Sequence, residues 1–258
     1  MRIATLNIND IAKRFDSLLA WLAETEPDVA CLQELKAEQG VFPEQPLAEL
    51  GYRAVWRGQR SWNGVAILAR GTTPIRTRGA LPGDPADRQA RYVEAAVNGL
   101  LIGCIYLPNG NPVPGPKFDY KLAWLERLTA HSGSLIDAGV PAILAGDFNV
   151  VPTSRDIYPT RSYDRDAVVQ PAAREAFGRL LEQGWTDALR TMHPEGPLWT
   201  YWSYLRNRWP ADKGMRLDHI LLSPAIAARL TGAGVDRWVR GEPDASDHAP
   251  VWIDIDAA

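Results

Sequence analysis

The sequence has little cysteine, no long apolar run and no excess of charge of one sign. Its 258 residues include 2 cysteines, Cys31 and Cys104, which are too few for a disulfide framework and lie in apolar, strand-like segments. We therefore expect buried free thiols and a cytoplasmic, reducing location. The apolar stretch Leu100–Leu107 is far shorter than the ~18 residues that a membrane span needs, so no membrane partner is expected.

Acidic and basic residues nearly balance. The chain carries 28 Lys and Arg against 31 Asp and Glu, a net charge of −3, so its bulk charge does not indicate a polyanionic partner. Any basic surface must be local. Residues 53–70 contain 4 arginines and no acid, and residues 199–216 contain 4 basic residues against Asp212. Dispersed arginines that only aid solubility are the alternative explanation.

Strand and helix patterns alternate along the chain. Predicted strands cover residues 2–8, 29–32, 52–57, 65–69, 92–97, 100–107, 141–148, 217–222 and 249–255. Predicted helices cover residues 9 or 10 to 25, 117–137 and 172–183, and Asn98-Gly99 predicts a two-residue hairpin. Strands joined both by hairpins and by helices indicate mixed sheets covered by helices. Without repeats or low-complexity linkers, we expect one domain over residues 1–258. No long apolar heptad pattern or unpaired apolar stripe is present in the sequence, so we expect a monomer.

Polar side chains lie at the ends of several predicted strands. They are Asn7, Glu34, Tyr106, Asp147, Asn149, Asp218, Asp247 and His248. Each alone has an ordinary explanation as a turn former, cap or strand end, although Asp218 in an apolar strand is costly unless it is paired. Together their oxygens suit a hard cation such as Mg²⁺. Zinc-type His/Cys spacing, a Gly-rich phosphate loop and a G-x-S-x-G elbow are all missing from the sequence.

These residues stand in seven motifs that follow one another along the whole chain. The motifs are L-N-I-N at 6–9, L-Q-E at 32–34, G-V-A-I-L at 64–68, Y-L-P-N-G at 106–110, G-D-F-N at 146–149, R-L-D-H at 216–219 and S-D-H-A-P-V at 246–251. The set resembles the exonuclease III / AP (apurinic-apyrimidinic) endonuclease family of the endonuclease–exonuclease–phosphatase superfamily. The resemblance implies an α+β fold of the deoxyribonuclease I type. That fold is a four-layer α/β/β/α sandwich of two mixed β-sheets, with the site at one edge between them.

The resemblance also implies roles for the polar residues. It implies a metal site for Mg²⁺, with Mn²⁺ as a substitute, formed by Asn7, Glu34, Asp147, Asn149, Asp247 and His248. His248, oriented by Asp218, would contact the scissile phosphate, and Asp147 would activate the attacking water. Asn149 would position phosphate and nucleophile, and Tyr106 would approach the phosphate or the leaving oxygen. The identity of the base and the number of metal ions, one or two, stay open.

Further residues are implied to contact the substrate. Tyr201, Trp202, Met215 and Leu217 would form a wall around a flipped-out abasic sugar, with core packing as the competing explanation for the aromatic residues. Basic groups near the substrate groove would be Arg206, Arg208, Lys117 and Lys121. Asn9 stands where some relatives carry Asp, which argues against a second carboxylate-bound metal ion.

The predicted function is a Mg²⁺-dependent nuclease of base excision repair that acts on double-stranded DNA. It would cut 5′ to abasic sites and digest DNA from 3′ ends to nucleoside 5′-phosphates. The first alternative is a phosphatase of the same superfamily that acts on a soluble phosphoester, and the second is a catalytically silent DNA-binding protein. The balance among abasic cleavage, 3′ digestion, 3′-phosphatase and RNA-strand removal stays open.

Overall fold

The computed structural model describes residues 1–256, which form two six-stranded β-sheets. The strands are β1 (Arg2–Asn7), β2 (Val29–Gln33), β3 (Tyr52–Arg57), β4 (Val65–Arg70), β5 (Ile75–Arg78), β6 (Tyr92–Val97), β7 (Leu100–Tyr106), β8 (Ala142–Asp147), β9 (Thr186–Asp187), β10 (Asp218–Leu222), β11 (Leu230–Val235) and β12 (Val251–Ile255). The first sheet has the order β11-β12-β1-β2-β4-β3, and the second has the order β5-β6-β7-β8-β10-β9. Within each sheet one neighbouring pair is parallel, β1 with β2 and β7 with β8.

Helices cover the outer faces of both sheets. They are α1 (Phe15–Thr25), α2 (Glu44–Glu49), α3 (Pro116–Asp137), α4 (Pro171–Glu182), α5 (Ala188–Met192), α6 (Pro224–Ala227) and α7 (Arg237–Arg240). Trp21 of α1 packs against the first sheet, and Trp124 of α3 with Phe177 of α4 packs against the second. The predicted four-layer α/β/β/α sandwich is confirmed. Among residues 1–256 no helix is both long and apolar enough to cross a membrane.

The main core lies between the two sheets. Side chains alternate along each strand, so Cys31 and Ile67 of the first sheet face Ile102, Cys104 and Ile143 of the second. Both cysteines are buried and free, as predicted. Because these strands are buried on both faces, they appear in the sequence as continuous apolar runs, which is why they were predictable.

Two kinds of element differ from the prediction. The first helix begins at Phe15 and not near Asn9, because Asn9 and Asp10 have φ values of 48° and 89° that a helix start does not allow. The backbone amide of Asp10 instead bonds to Glu34, so the segment follows β2 towards the strand ends. The strands β5, β9 and β11 were not predicted. Every residue of β5 is exposed, so that strand lacks the alternation of apolar and polar residues on which the prediction depends.

Candidate active site

The predicted polar residues meet in a cleft at the edge where strands of both sheets end. The cleft encloses about 300 Å³ and is lined by Glu34, Trp62, Tyr106, Asn109, Asp147, Asn149, Tyr163, Asp166, Val168, Tyr201, Met215, Leu217, Asp247 and His248. The strand registers explain the convergence, because Tyr106 and Asp218 both lie opposite Asp147 on its two neighbouring strands. Asn7 of the first sheet then reaches Asp147 across the gap, with Nδ2 3.0 Å from Oδ2.

Asp147 is buried at the end of β8, directly after a glycine that the close approach of the β7 backbone requires. Gly146 has a φ of 153°, and a Cβ there would lie 1.9 Å from the carbonyl oxygen of Ile105. Asp147 accepts hydrogen bonds from the backbone N–H of Asn149 at 2.8 Å and from the Asn149 side-chain amide at 3.0 Å. Burial raises the pKa of Asp147 from 3.8 to about 7, although the nearby His248 opposes this shift. A carboxylate with that pKa can accept a proton near neutral pH.

His248 is held by Asp218 and points towards Asp147. Its Nδ1 lies 2.7 Å from Oδ2 of Asp218, and its Nε2 lies 3.9 Å from Oδ2 of Asp147. Burial alone would lower the pKa of His248, but the Asp218 carboxylate outweighs it and raises that pKa to about 10. The imidazole is therefore cationic at neutral pH, with its Nε2–H available on the cleft side.

Glu34 accepts hydrogen bonds from two neighbours at the end of β2. Its Oε1 accepts from Nδ2 of Asn7 at 3.0 Å and from the hydroxyl of Tyr106 at 2.8 Å, and its Oε2 pairs with Nζ of Lys36 at 3.0 Å. Burial opposes ionisation of Glu34, yet the Asn7 hydrogen bond and the Lys36 charge lower its pKa. Burial raises the pKa of Tyr106, so the phenol stays a neutral donor.

Asp247, a further carboxylate that lines the cleft, is held by Asn9. Asn9 donates from Nδ2 to Oδ1 of Asp247 at 2.9 Å, and Lys36 donates to Oδ1 of Asn9 at 2.5 Å. Sequence reasoning missed Lys36, although it stands two residues after Glu34. A second metal ion at this place would need an acidic residue at position 9. The chain has Asn9 there, and the ammonium group of Lys36 lies against it.

The donor set fits a divalent cation that binds few carboxylates. Within the described residues 1–256, no group of three His, Cys, Asp or Glu side chains is arranged to hold a metal ion by itself. Glu34 and Asp147 nevertheless both accept a hydrogen bond from the same Asn7 nitrogen, so two carboxylates flank one point of the cleft. A hard divalent ion typically takes one or two carboxylates and completes its shell with water and substrate phosphate. This arrangement is consistent with a metal-dependent nuclease.

Three of the four predicted wall residues line the cleft. Met215 and Tyr201 form a backbone bridge with each other, and Tyr201 forms a second bridge with His248, which places its ring 4.9 Å from the imidazole ring. Leu217 completes this apolar side together with Val168, which sequence reasoning missed. Trp202 is the exception.

The structure contradicts the prediction that Trp202 contacts the substrate. Its side chain is fully buried against Trp199 and Trp209, away from the cleft, and its indole N–H donates to Asp212 at 3.0 Å. Core packing, the competing explanation, accounts for it. An aromatic residue next to one that lines a site points to the opposite side of an extended chain, and this is the case for Tyr201 and Trp202.

The four predicted basic residues divide into two exposed and two buried groups. Arg206 and Lys117 are exposed, and Lys117 lines a polar cavity of about 490 Å³ that adjoins the cleft. Arg208 is buried over the ring of Tyr163 and donates to Ser162. Lys121 was predicted to lie near the substrate groove, but it is fully buried beneath the cleft. Burial lowers the pKa of Lys121 from 10.5 to about 7.

Sequence reasoning also missed residues that connect the cleft to the adjoining polar cavity. Trp62 and Asn109 line both spaces, and Trp62 is 73% exposed. Arg91 lies over the ring of Tyr106 at 4.7 Å from its centroid. Asn109 belongs to the Y-L-P-N-G motif, which is the sequence signal for it. No pattern in the sequence distinguished Trp62 or Arg91 from other surface residues.

Comparison with known proteins finds relatives in one nuclease and phosphatase family. The sequence profile of the Endonuclease/Exonuclease/phosphatase family matches residues 4–248. The chain is 29% identical over 267 residues to exodeoxyribonuclease III of Haemophilus influenzae, which covers 99% of this chain and 100% of that relative.

Solved structures agree with the sequence relatives. The 3′-5′ exonuclease NExo from Neisseria meningitidis superposes with a TM-score of 0.96 at 37% identity. The 3′ phosphatase NExo from Neisseria, bound to a product DNA hairpin, gives 0.95 at 36%, and an AP endonuclease from Archaeoglobus fulgidus gives 0.95 at 32%. Each match covers 100% of both chains. With the same fold along its whole length and the motif residues gathered in one cleft, the chain belongs to the Endonuclease/Exonuclease/phosphatase family, in its exonuclease III and AP endonuclease group.

Proposed function

We propose that the chain is a Mg²⁺-dependent hydrolase that cuts duplex DNA on the 5′ side of abasic sites and removes nucleotides or blocking groups from 3′ ends. It is a DNA repair nuclease of its family, and its substrate is DNA. The observation that carries the finer proposal is the meeting of Asp147, the His248–Asp218 pair and Glu34 in one cleft with an apolar wall on one side.

The chemistry follows from the protonation states of the buried groups. Asp147, with a pKa of about 7, accepts a proton from the attacking water. The water oxygen bonds to phosphorus and the bond from phosphorus to the 3′ oxygen breaks. The leaving 3′ oxygen takes a proton from solvent water, so the products are a 3′ hydroxyl and a 5′ phosphate. Cationic His248 donates from Nε2 to a phosphate oxygen, and Asn149 aligns the nucleophile from beside Asp147. Tyr106 stands on the side of the leaving oxygen as a neutral donor.

A bound Mg²⁺ would neutralise phosphate charge and stabilise the leaving oxygen. Glu34 would be its principal ligand, because its lowered pKa keeps the carboxylate ionised. Asn7 and Asp247 are the further candidate ligands from this chain. Mn²⁺ is expected to substitute, since both ions prefer oxygen donors.

The apolar wall supports the choice of an abasic sugar as one substrate. Tyr201, Met215, Leu217 and Val168 line one side of a cleft of about 300 Å³. A deoxyribose that lacks its base presents little more than an apolar ring face to such a wall, and it leaves the duplex at low cost because it has no stacking or pairing to lose. The exposed Trp62 and Lys117 beside the cleft offer contacts to an extended DNA substrate that a soluble phosphoester would not reach.

The test is cleavage of a duplex that carries one abasic analogue. We expect a single product with a 3′ hydroxyl in Mg²⁺, none in EDTA, and release of nucleoside 5′-phosphates from a recessed 3′ end. Asp147→Asn and Glu34→Gln should remove both activities, whereas a soluble phosphomonoester should be a poor substrate. Equal cleavage in EDTA, or turnover of only the soluble ester, would contradict the proposal. Duplex binding without any cleavage would favour the catalytically silent alternative.

We also propose a single domain over residues 1–258, a monomeric state and a cytoplasmic location. The shared core between the two sheets supports the first. The two buried free thiols support the last, since an oxidising compartment gives no advantage to such residues. Sedimentation of the purified chain tests the monomeric state.

A further inference from the structure

Lys121 joins the two loops that carry the polar side of the cleft. It lies in the first turns of α3, and its side chain is 0% exposed. Its Nζ donates to the backbone carbonyl of Asn109 at 3.0 Å and to that of Asn149 at 2.5 Å. Asn109 follows β7 and Asn149 follows β8, so one buried ammonium group holds both loops from below.

The surroundings of Lys121 are built around this contact. Gly110 passes so close that a Cβ there would lie 2.8 Å from Cδ of Lys121, and its φ is 95°. The two loops are tied a second time, because Nδ2 of Asn109 donates to Oδ1 of Asn149 at 3.0 Å. Asn149 itself has a φ of 48°, a left-handed conformation that persists only where neighbouring contacts hold it.

A direct contact of Lys121 with DNA does not fit these observations. The ammonium group has no exposed surface, and two of its three donors already point at backbone carbonyls. A purely structural role does not explain a charge in this position either. Well-packed apolar side chains usually serve stability as well as buried charges do. What the ammonium group adds is a defined direction for the carbonyl of Asn149, and through it for the side chain that bonds to Asp147.

We propose that Lys121 is a positioning residue that acts through Asn149. By fixing the backbone of Asn149 it keeps Nδ2 of that residue on Oδ2 of Asp147, 3.0 Å away, and keeps Oδ1 on Asn109. This inference rests on the proposed function, because it assumes that Asn149 aligns the nucleophile there. It assigns Lys121 no contact with the phosphate.

The test is a double-mutant cycle with kinetics on the abasic duplex. Lys121→Met keeps the aliphatic stem against Gly110 and removes the donors. We expect kcat to fall about 10–100-fold, as for other groups that orient residues in a site, with KM within about twofold of the original. In the Asn149→Ala background the same substitution should lower kcat by no more than about twofold, because the residue through which it acts is already missing.

Lys117→Met is the matched control, since Lys117 lies one turn earlier in the same helix and is exposed. It should raise KM and weaken the salt dependence of binding while kcat stays near its original value. The same pattern for Lys121→Met would show a phosphate contact and overturn the inference. An equal loss of kcat in both backgrounds would overturn it too, because Lys121 would then act independently of Asn149.

Folding must be separated from positioning. Circular dichroism and thermal unfolding of Lys121→Met give the folded fraction, to which kcat is normalised. If this variant does not fold, the cycle is run with Lys121→Gln, which retains a donor for one of the two carbonyls. If the unmodified chain cleaves no duplex, the proposed function fails; if it cleaves and Lys121→Met cleaves equally fast, only the inference about Lys121 fails.

Discussion

At the scale of single residues, Asp218 determines the charge of His248. The two are 2.7 Å apart and both are buried, and the carboxylate raises the pKa of His248 to about 10 against the effect of burial. Asp147 on the other side has its pKa raised to about 7, chiefly by burial. The two carboxylates beside the imidazole therefore differ in role. Asp218 is hydrogen-bonded to the cationic His248, whereas Asp147 lies near it without a hydrogen bond and can accept a proton.

Asp218→Asn should therefore disable the site without unfolding the protein. An amide at this position holds the imidazole less firmly and no longer favours its charged form, so we expect kcat to fall about 10²–10⁴-fold with little change in KM. Single-turnover cleavage of the abasic duplex measures the loss, and duplex binding with circular dichroism serves as the control. Near-normal kcat in a folded variant would mean that His248 does not act as a cation. Asp254→Asn, which changes a half-buried carboxylate of β12 that pairs with Arg2 outside the cleft, is the matched substitution and should leave kcat unaltered.

At the scale of elements, the strands that hold the site were predictable, whereas three of the four edge strands, β5, β9 and β11, were not. The strands β1, β2, β7, β8 and β10 are buried, so their apolar composition marked them in the sequence. The edge strand β11 contains two glycines and only one buried residue, which leaves no pattern. The start of α1 was misplaced because Asn9 and Asp10, ordinary helix caps by composition, adopt left-handed conformations beside the cleft.

A buried ion-pair network fixes one of these elements, the start of β10. Asp156 is 0% exposed and accepts hydrogen bonds from Arg216 at 2.8 Å and Arg190 at 2.7 Å, while Arg216 also pairs with Asp187 at 2.7 Å. Burial would raise the pKa of Asp156, but the Arg216 guanidinium outweighs it and holds that pKa well below 3.8. The network therefore contributes stability only while Asp156 is ionised.

Asp156→Asn should lower the free energy of unfolding at pH 7 by about 3 kcal/mol, since it leaves buried guanidinium charge without its partner. Because the folded-state pKa is depressed, the contribution is complete above about pH 4 and is lost as the pH falls through the folded-state value. The difference between the original chain and the variant should consequently shrink below pH 4. Urea unfolding from pH 7 to pH 3 measures it. A difference that does not change over that range would contradict the role of Asp156 as an ionised partner.

At the scale of the whole molecule, the sequence predicted the polar residues that come together at the cleft, but not which basic and aromatic residues are exposed there. The order of the motifs predicted Asn7, Glu34, Asp147 and His248, and the two sheets bring them together. Residue type alone could not reveal that Lys121 and Trp202 are buried, because that depends on how loops and α3 pack against the sheets. Trp62 lay in a segment whose sequence resembles any other surface loop. Contacts between distant parts of the chain determine whether these three side chains are buried or exposed.

The net charge of −3 makes DNA binding depend on a few exposed cations. Arg206 is exposed, whereas Arg208, two residues later, is buried over Tyr163 and donates to Ser162. Each phosphate that a cation neutralises makes the slope of log affinity against log salt steeper by about one unit, so losing one contact makes it shallower by about one unit. In the inactive Asp147→Asn background, Arg206→Gln should reduce that slope by about 1, and Arg208→Gln should leave it nearly unchanged.

Fluorescence anisotropy with a labelled abasic duplex, between about 50 and 200 mM salt, gives these slopes. Arg208→Gln is expected to act through stability, because it removes the hydrogen bond to Ser162 and the contact with Tyr163. Its unfolding temperature should fall while its salt slope stays the same. Arg206→Gln should keep its unfolding temperature and have a shallower salt slope. If Arg208→Gln reduced the slope as much as Arg206→Gln, the loop around residues 203–213 would have to open on DNA and expose the buried arginine. The pair of variants thus tests whether the conformation of this loop without DNA is the one that meets the phosphate backbone.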